Sequence, residues 1–320
     1  MIKYSEIVKA NSKIKKYKVP TLLQFSNTFS WMSSNNIYLK PENLQVTGSY
    51  KIGGALNVIM NLTEDQKKKG VITTSAGNWA QAVAYASRIF KVKSVIVMKE
   101  GTSKTKIMAT KGYGGKVVIY GKDTKDTMEK SMSLAKSENL IFLNCFEDEN
   151  LITGHGCIGL DIIEEKPNTD VIFCPIGGGA FVAGVAIAVK HAKPEVKIIG
   201  VEPEGANSMY LSLRKDKLVG IEKANTIADG LAVERPGARP FEIARKYVDE
   251  VVLVTDEEIK KAMILLLERA KLLVEPSGAA SLAAIISKKL DFKDKEVVVI
   301  LSGGNIDLDK FSNILKEEIT

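Results

Sequence analysis

Short apolar runs recur along this chain at helix-length intervals. They are Ile37-Tyr38-Leu39, Val71-Ile72, Val95-Ile96-Val97-Met98, Val117-Val118-Ile119-Tyr120, Ile141-Phe142-Leu143, Val171-Ile172-Phe173-Cys174, Ile198-Ile199-Gly200-Val201, Val251-Val252-Leu253-Val254 and Val297-Val298-Val299-Ile300. Each is too short for a buried helix and lacks the polar alternation of a strand with one wet face. Such runs read as strands covered on both sides. Parallel strands need a crossover between them, usually a helix, and the crossovers cover both faces. The pattern predicts an α/β fold of mostly parallel sheets flanked by helices. At 320 residues the chain has room for two domains with well-buried cores.

In open α/β sheets ligands bind outside the carboxyl ends of the strands, and four turns at such positions carry chemistry. Lys51 sits in Gly48-Ser49-Tyr50-Lys51-Ile52-Gly53-Gly54, between the apolar run at Ile37 and the helical pattern Ala55, Leu56, Val58, Ile59. It is either a solvated loop lysine or a desolvated amine. Burial favours the neutral amine, which is a nucleophile and a base. Ser75-Ala76-Gly77-Asn78 follows Val71-Ile72 and opens a helix. Free N–H groups there, with Ser and Asn side chains, suit a carboxylate, although an ordinary N-cap has the same residues. Gly177-Gly178-Gly179-Ala180 lies between the run ending at Cys174 and a helix from about Phe181 to Lys190. Three glycines in a row lose much conformational entropy and serve where a backbone approaches a ligand, here a phosphate. The spacing is neither the dinucleotide fingerprint nor a Walker loop, which leaves a compact monophosphate. Ser302-Gly303-Gly304-Asn305 follows the last run. A lysine and a monophosphate cradle in one protein point to pyridoxal 5′-phosphate.

These motifs also carry a family resemblance. The chain resembles the threonine dehydratases (threonine ammonia-lyases) among fold type II pyridoxal-phosphate enzymes. The match runs from Leu39-Lys40-Pro41-Glu42-Asn43 through the lysine and Ser75 turns, Ile152-Thr153-Gly154-His155-Gly156, the glycine turn, Ile199-Gly200-Val201-Glu202 and Thr226-Ile227-Ala228-Asp229-Gly230. It closes with Glu268-Arg269-Ala270-Lys271 and Ser302 to Asp307. It implies two domains like those of the tryptophan synthase β chain. A small mobile domain of residues 53–147 would be inserted into a large one of 1–52 and 148–320, with the site in the cleft. It also implies a homodimer or homotetramer. The chain ends soon after Asp307, so the resemblance implies no further regulatory domain for isoleucine feedback.

The resemblance implies roles residue by residue. Lys51 would carry the cofactor and act as the Cα base, with its pKa lowered by burial and by the cofactor's surroundings. Tyr50 would lie beside the ring, where the family usually has Phe. Asn78 would bond the cofactor 3′-oxygen, and Gly177, Gly178, Gly179 and Ala180 would hold its phosphate. Ser302 would face the ring nitrogen. Ser75, Ala76, Gly77 and Asn78 would bind the substrate carboxylate. The implied reaction is β-elimination on L-threonine and L-serine, giving a 2-oxo acid and ammonia.

Departures from the family pattern sharpen this. Gly53 stands where Arg is usual, Trp79 where His is usual and His155 where Gln is usual. His155 is either a substrate contact or a polar filler behind the site. Serine racemases of the family place a serine at position 76 as an acid; Ala76 cannot transfer a proton. The family's divalent-cation site corresponds to Glu202, Ala206 and Ser208. Without the last carboxylate hard cations are poorly served, so no metal is expected, and Glu202 is the one candidate ligand. The alternatives are a serine racemase or serine dehydratase and, in another class, a non-catalytic amino-acid sensor. A sensor would not need the amine.

Composition excludes several other classes. The net charge of +7 comes from scattered lysines. The clearest run, Lys67-Lys68-Lys69, follows Glu64 and Asp65 and reads as a helix C-terminus, not a nucleic-acid surface. No apolar stretch is long enough to span a membrane, and no signal-peptide core opens the chain. Three cysteines, Cys145, Cys157 and Cys174, fit reduced core thiols of a cytoplasmic protein.

Overall fold

The computed structural model describes residues 2–319, and their side chains as far as residue 317. Among the described residues ten strands form two sheets. They are β1 (Gln24–Phe25), β2 (Asn36–Pro41), β3 (Val71–Thr74), β4 (Ser94–Met98), β5 (Lys116–Ile119), β6 (Ile141–Phe142), β7 (Val171–Pro175), β8 (Lys197–Pro203), β9 (Glu250–Val254) and β10 (Glu296–Leu301). The large sheet has the order β1-β2-β10-β7-β8-β9 and the small one β5-β4-β3-β6. Every pairing is parallel except β1 with β2. The small sheet is built from an insertion between two strands of the large one.

The unbroken apolar runs bury both faces of the large sheet. Val297, Val299 and Leu301 of β10, with Val171 and Phe173 of β7, share a core with the helix Pro276–Ile286. Val298, Ile300, Ile172 and Cys174 point the other way, against the helix Ala180–Ala192. Burying each such side chain stabilises by about 1.5–3 kcal/mol. The small sheet repeats this arrangement. Ile72, Val95 and Val97 face Leu134 and Ala135, while Ile96 and Met98 face Ala80 and Ala84.

A helical layer joins the two sheets. The helix Lys51–Met60 contributes Ile52, Leu56 and Ile59 to a core shared with Trp79, Val83, Leu151, Ile152 and Ile187. It packs backbone to backbone on the helix Glu149–Glu165. A Cβ at Gly154 would lie 2.4 Å from the Gly53 carbonyl, and one at Gly53 would lie 2.9 Å from the Gly154 carbonyl. An arginine at position 53 has no room here. The lysine run also falls in a helix, Glu64–Lys69, with a Thr63 capping box and ion pairs from Lys67 to Glu64 and from Lys68 to Asp65. Among the described residues no helix is long and apolar enough to cross a membrane.

Candidate active site

Parallel strands end together, so the segments after Pro41, Pro175, Pro203 and Leu301 meet at one edge of the large sheet. Lys51 is not at a strand end itself. Residues 42–50, including the short turn Glu42–Leu44, separate β2 from its helix. Cross-bonds return it to the edge. The Tyr50 N–H donates to the Ser302 carbonyl (3.0 Å), and the Gly304 N–H donates to the Gly48 carbonyl (2.9 Å). Asn305 Nδ2 donates to the Thr47 carbonyl at 2.8 Å. Gly48 has φ +69°, and a Cβ there would meet Asn305 Oδ1 at 2.6 Å, so only glycine fits.

A cavity of about 540 Å³ opens at this edge, between the sheets. Its wall includes Tyr50, Lys51, Ser75, Ala76, Gly77, Asn78, Cys145, Phe146, Gly177, Gly178, Gly179, Ala180 and Glu275. A larger groove of about 830 Å³ lies along the helix Ala238–Tyr247. It gathers Phe241, Ile243, Ile187 and paired charges, and none of the four chemical turns.

Lys51 Nζ lies 4.8 Å from the centre of the Tyr50 ring. Burial pulls the amine's pKa down, but Tyr50, Cys145 and Glu275 push it up further, and the net direction is upward. This direction holds for the polypeptide alone, whereas the expected depression counted the cofactor's surroundings as well as burial.

The Ser75 turn stands opposite. The Gly77 N–H donates to Ser75 Oγ at 3.2 Å, and Gly77 caps the helix Asn78–Ile89. Trp79 turns into the core, where its indole N–H donates to Thr73 Oγ1 at 2.9 Å, which anchors the turn from below. Asn78 is held at both ends of its amide. Nδ2 donates to Glu275 Oε1 at 2.6 Å, and Oδ1 accepts from Asn305 at 2.7 Å. One amide N–H is left for a ligand.

The glycine turn is tightly packed from behind. A Cβ at Gly178 would come within 2.7–2.9 Å of Phe146, and one at Gly177 would lie 2.9 Å from the Gly230 carbonyl. Gly179 has φ +91°, and its Cβ would meet Met209 at 2.6 Å and Pro240 at 2.8 Å. Backbone therefore forms this wall of the cavity. Among the described residues, the N–H groups of Gly177, Gly178 and Gly179 find no protein acceptor. They sit at the positive end of the helix Ala180–Ala192. A phosphate satisfies donors so placed, so the residues present fit pyridoxal phosphate, with the Lys51 amine in the same cavity.

Ser302 lies beneath the wall, with its hydroxyl on the Ser277 carbonyl at 3.3 Å. His155 corrects the expectation of a substrate contact. It is wholly buried and absent from the cavity wall. Its ring lies against Tyr50 (centroids 4.9 Å apart) and Phe181 (5.8 Å), over Gly54. Among the described residues neither ring nitrogen has a hydrogen-bond partner. Burial, with Lys51 and Lys18 nearby, holds it well below the usual range and therefore neutral.

Glu202 is also buried, and its two oxygens accept the N–H groups of Met209 (3.0 Å) and Tyr210 (2.7 Å). Burial pushes its carboxyl up to about 8. Ser208 Oγ donates to the Val233 carbonyl. Among the described residues no cluster of His, Cys, Asp and Glu could hold a metal ion.

Three residues of the site escaped the sequence. Glu275 is the clearest, a carboxyl that burial pushes up to about 7 despite the Asn78 bond. Its one signal was a lone acid before Pro276 in an apolar stretch. Asn305 was legible only as part of a turn. Cys145 was expected in the core but lines the cavity, and burial raises its thiol.

Comparison with known proteins agrees with this geometry. Residues 14–303 match the family described as pyridoxal-phosphate dependent enzyme. An L-threonine ammonia-lyase of Thermotoga maritima is 41% identical over 317 residues, covering 99% of this chain and 79% of the relative. The catabolic L-threonine dehydratase of Escherichia coli K12 is 39% identical, covering 97% and 94%. A threonine deaminase structure from Solanum lycopersicum superposes with TM-score 0.94 at 34% identity, over 98% of this chain and 87% of the other. Maize serine racemase superposes with TM-score 0.93 at 31% identity, over 99% and 98%. With the lysine, the phosphate cradle and the fold in agreement, the chain belongs to the pyridoxal-phosphate-dependent enzymes.

Proposed function

We propose that this enzyme eliminates water from L-threonine, and from L-serine, to give 2-oxobutanoate or pyruvate and ammonia. The observation that carries the reading is the convergence of the Lys51 amine, the Ser75 turn and the glycine turn on one cavity in which position 76 is alanine. The threonine ammonia-lyase relatives support the choice of substrate.

When bound, pyridoxal phosphate supplies an electron sink for charge that develops at Cα. The chain's own residues do the rest. The N–H groups of Gly177 to Ala180 would hold the phosphate. Asn78 would offer its remaining amide N–H to the ring oxygen, and Ser302 would face the ring nitrogen. Ser75 and the turn to Asn78 would orient the substrate carboxylate. The free Lys51 amine would take the Cα proton on Nζ. The electron pair left behind forms the Cα–Cβ double bond as the Cβ–O bond breaks, and the hydroxyl leaves with a proton as water. Hydrolysis of the released enamine then yields the oxo acid and ammonia. No acid stands at position 76 to deliver a proton to the other face, which disfavours racemisation.

The same reading places residues 53–147 as a mobile unit, a dimer or tetramer as the working form and the cytoplasm as the location. The test is turnover. Purified holoenzyme given L-threonine should release 2-oxobutanoate, and given L-serine should form pyruvate faster than D-serine. Serine enantiomers interconverted faster than oxo acid appears would replace this reading with racemase. A colourless protein that neither takes up the cofactor nor turns over would leave the sensor.

A further inference from the structure

Asn305 joins three turns of the site through one amide, and the reaction above does not use it. Its Nδ2 donates to the Thr47 carbonyl at 2.8 Å and to Asn78 Oδ1 at 2.7 Å. The first acceptor decides the arrangement. A backbone carbonyl only accepts, so the nitrogen of Asn305 must lie on the Thr47 side. The amide is packed on Gly48, where a Cβ would come within 2.6–3.0 Å of its oxygen, nitrogen and carbon. The second N–H of the same nitrogen then meets Asn78, and of that amide only the oxygen can accept it. Asn78 must therefore place Oδ1 toward Asn305 and Nδ2 toward Glu275, whose Oε1 accepts at 2.6 Å. Gly303 packs against this pair, and a Cβ there would lie 3.0 Å from Asn78 Nδ2.

Glu275 alone cannot impose this order. A carboxylate accepts from Nδ2, but a protonated carboxyl can donate to Oδ1. Burial pushes Glu275 up to about 7, so both forms are at hand near neutrality. Asn305 has no such freedom. Resting on the reading that Asn78 meets the cofactor's ring oxygen, we propose that Asn305 is a positioning residue that fixes the facing of the Asn78 amide. A flipped amide would put Oδ1 where the free N–H now stands, oxygen against oxygen. Because the order starts from the Thr47 carbonyl, the loop that carries Lys51 also sets the donor to the ring.

Two variants separate facing from scaffolding. Asn305→Ala and Asn305→Leu both remove the amide without adding charge, one leaving space and the other filling it. An N–H on the ring oxygen competes with the proton that the Lys51 adduct shares with that oxygen. Losing the N–H lets the adduct keep its proton to higher pH. In both variants the pH at which the visible band of the holoenzyme fades should therefore rise by up to about one unit. Cofactor affinity should fall about three- to tenfold. The other titratable groups of the cavity are the same in parent and variants. Tyr50, Cys145 and Glu275 lie close to Lys51, and Lys99 lies on the wall. Lys106 pairs with Asp307 at 3.9 Å and Lys310 with Asp229 at 3.0 Å.

Asn78→Ala supplies the second arm. In that background Asn305→Ala should still lower the melting temperature of the cofactor-free chain, because the Thr47 bond is lost. It should move the band no further, since a residue that acts through Asn78 has nothing left to act on. A band shift that adds in full to that of Asn78→Ala would overturn the role of Asn305. So would a shift absent from both Asn305 variants, or present in only one, which would assign it to packing. In these cases the contact of Asn78 with the ring oxygen stands. If Asn78→Ala itself leaves band and affinity unchanged, that contact falls and the proposal falls with it.

Discussion

A Cβ at Gly178 would press into Phe146 at 2.7 Å, whereas a Cβ at Gly77, across the cavity, would meet nothing within 4 Å. Both glycines open onto the same space and both precede a helix. The cradle at Gly177–Ala180 is backed by Phe146, Met209, Pro240 and the Gly230 carbonyl. The turn at Ser75–Gly77 is held by Trp79 from below, by the Ser75 N–H on the Val97 carbonyl at 3.2 Å and by one hydrogen bond within itself. A group that is the same in every cycle is best met by donors that cannot move. A substrate that arrives, reacts and leaves needs a turn with room to adjust. The difference teaches that glycine at the first turn is demanded by sterics, and at the second by access.

The sharpest way to break this contrast is Gly179→Ala. The new residue must keep φ +91° and displace Met209 or Pro240, at a cost of the order of 2–5 kcal/mol from strain and overpacking. Cofactor titration should show weakened binding, and thermal melts should show a lower midpoint. A variant that binds pyridoxal phosphate normally would remove the case for a rigid cradle.

Ser75→Ala should act on the substrate alone. Losing a hydrogen bond to a carboxylate is worth about 10- to 100-fold. KM for L-threonine should rise accordingly, while the visible spectrum of the resting enzyme stays as it was. A changed spectrum would mean that this turn also holds the cofactor.

Glu275 tests the boundary between the two regions through pH. Its carboxyl is raised to about 7 in the fold, by burial first, against an ordinary value near 4.5. The folded chain keeps a proton that the unfolded chain releases between these values, so this contribution to stability is present below pH 4.5 and is lost as the pH rises through about 7. The size is of the order of 3 kcal/mol. Glu275→Gln should flatten the decline in stability of the cofactor-free chain over that window, read by denaturant melts at several pH values. An unchanged slope would place the titration elsewhere. The smallest effect should come from Gly77→Ala, with melting temperature and cofactor binding unchanged and KM altered severalfold at most. A collapse in cofactor binding would show that the open turn is as constrained as the closed one.

The strands were legible because burial on both faces leaves uninterrupted apolar runs, and Val297 to Leu301 divide between two cores as that pattern requires. β1 was not legible. It is two exposed residues long and pairs antiparallel at an edge, with no hydrophobic period to betray it. Lys51 and the glycine turn were readable as local punctuation. Glu275 was not, because its meaning comes from Asn78 and Asn305, which are 197 residues and about 30 residues away along the chain. His155 was ambiguous for the opposite reason. A polar residue in a conspicuous motif suits a substrate contact as well as a filler behind the site, and it is the Gly54 notch and the Tyr50 and Phe181 rings that draw it into the interior. Such packing is set by three segments at once, and one segment cannot show it.

The central claim is that Lys51, and no other of the many lysines, bonds to the cofactor. Borohydride reduction of the holoenzyme fixes that bond permanently, and peptide mapping then locates it. The account predicts the added mass on Lys51 in a single peptide, with Lys51→Ala showing no fixed label and no release of 2-oxobutanoate. A label on another cavity lysine, such as Lys99 or Lys106, or undiminished turnover by Lys51→Ala, would contradict it.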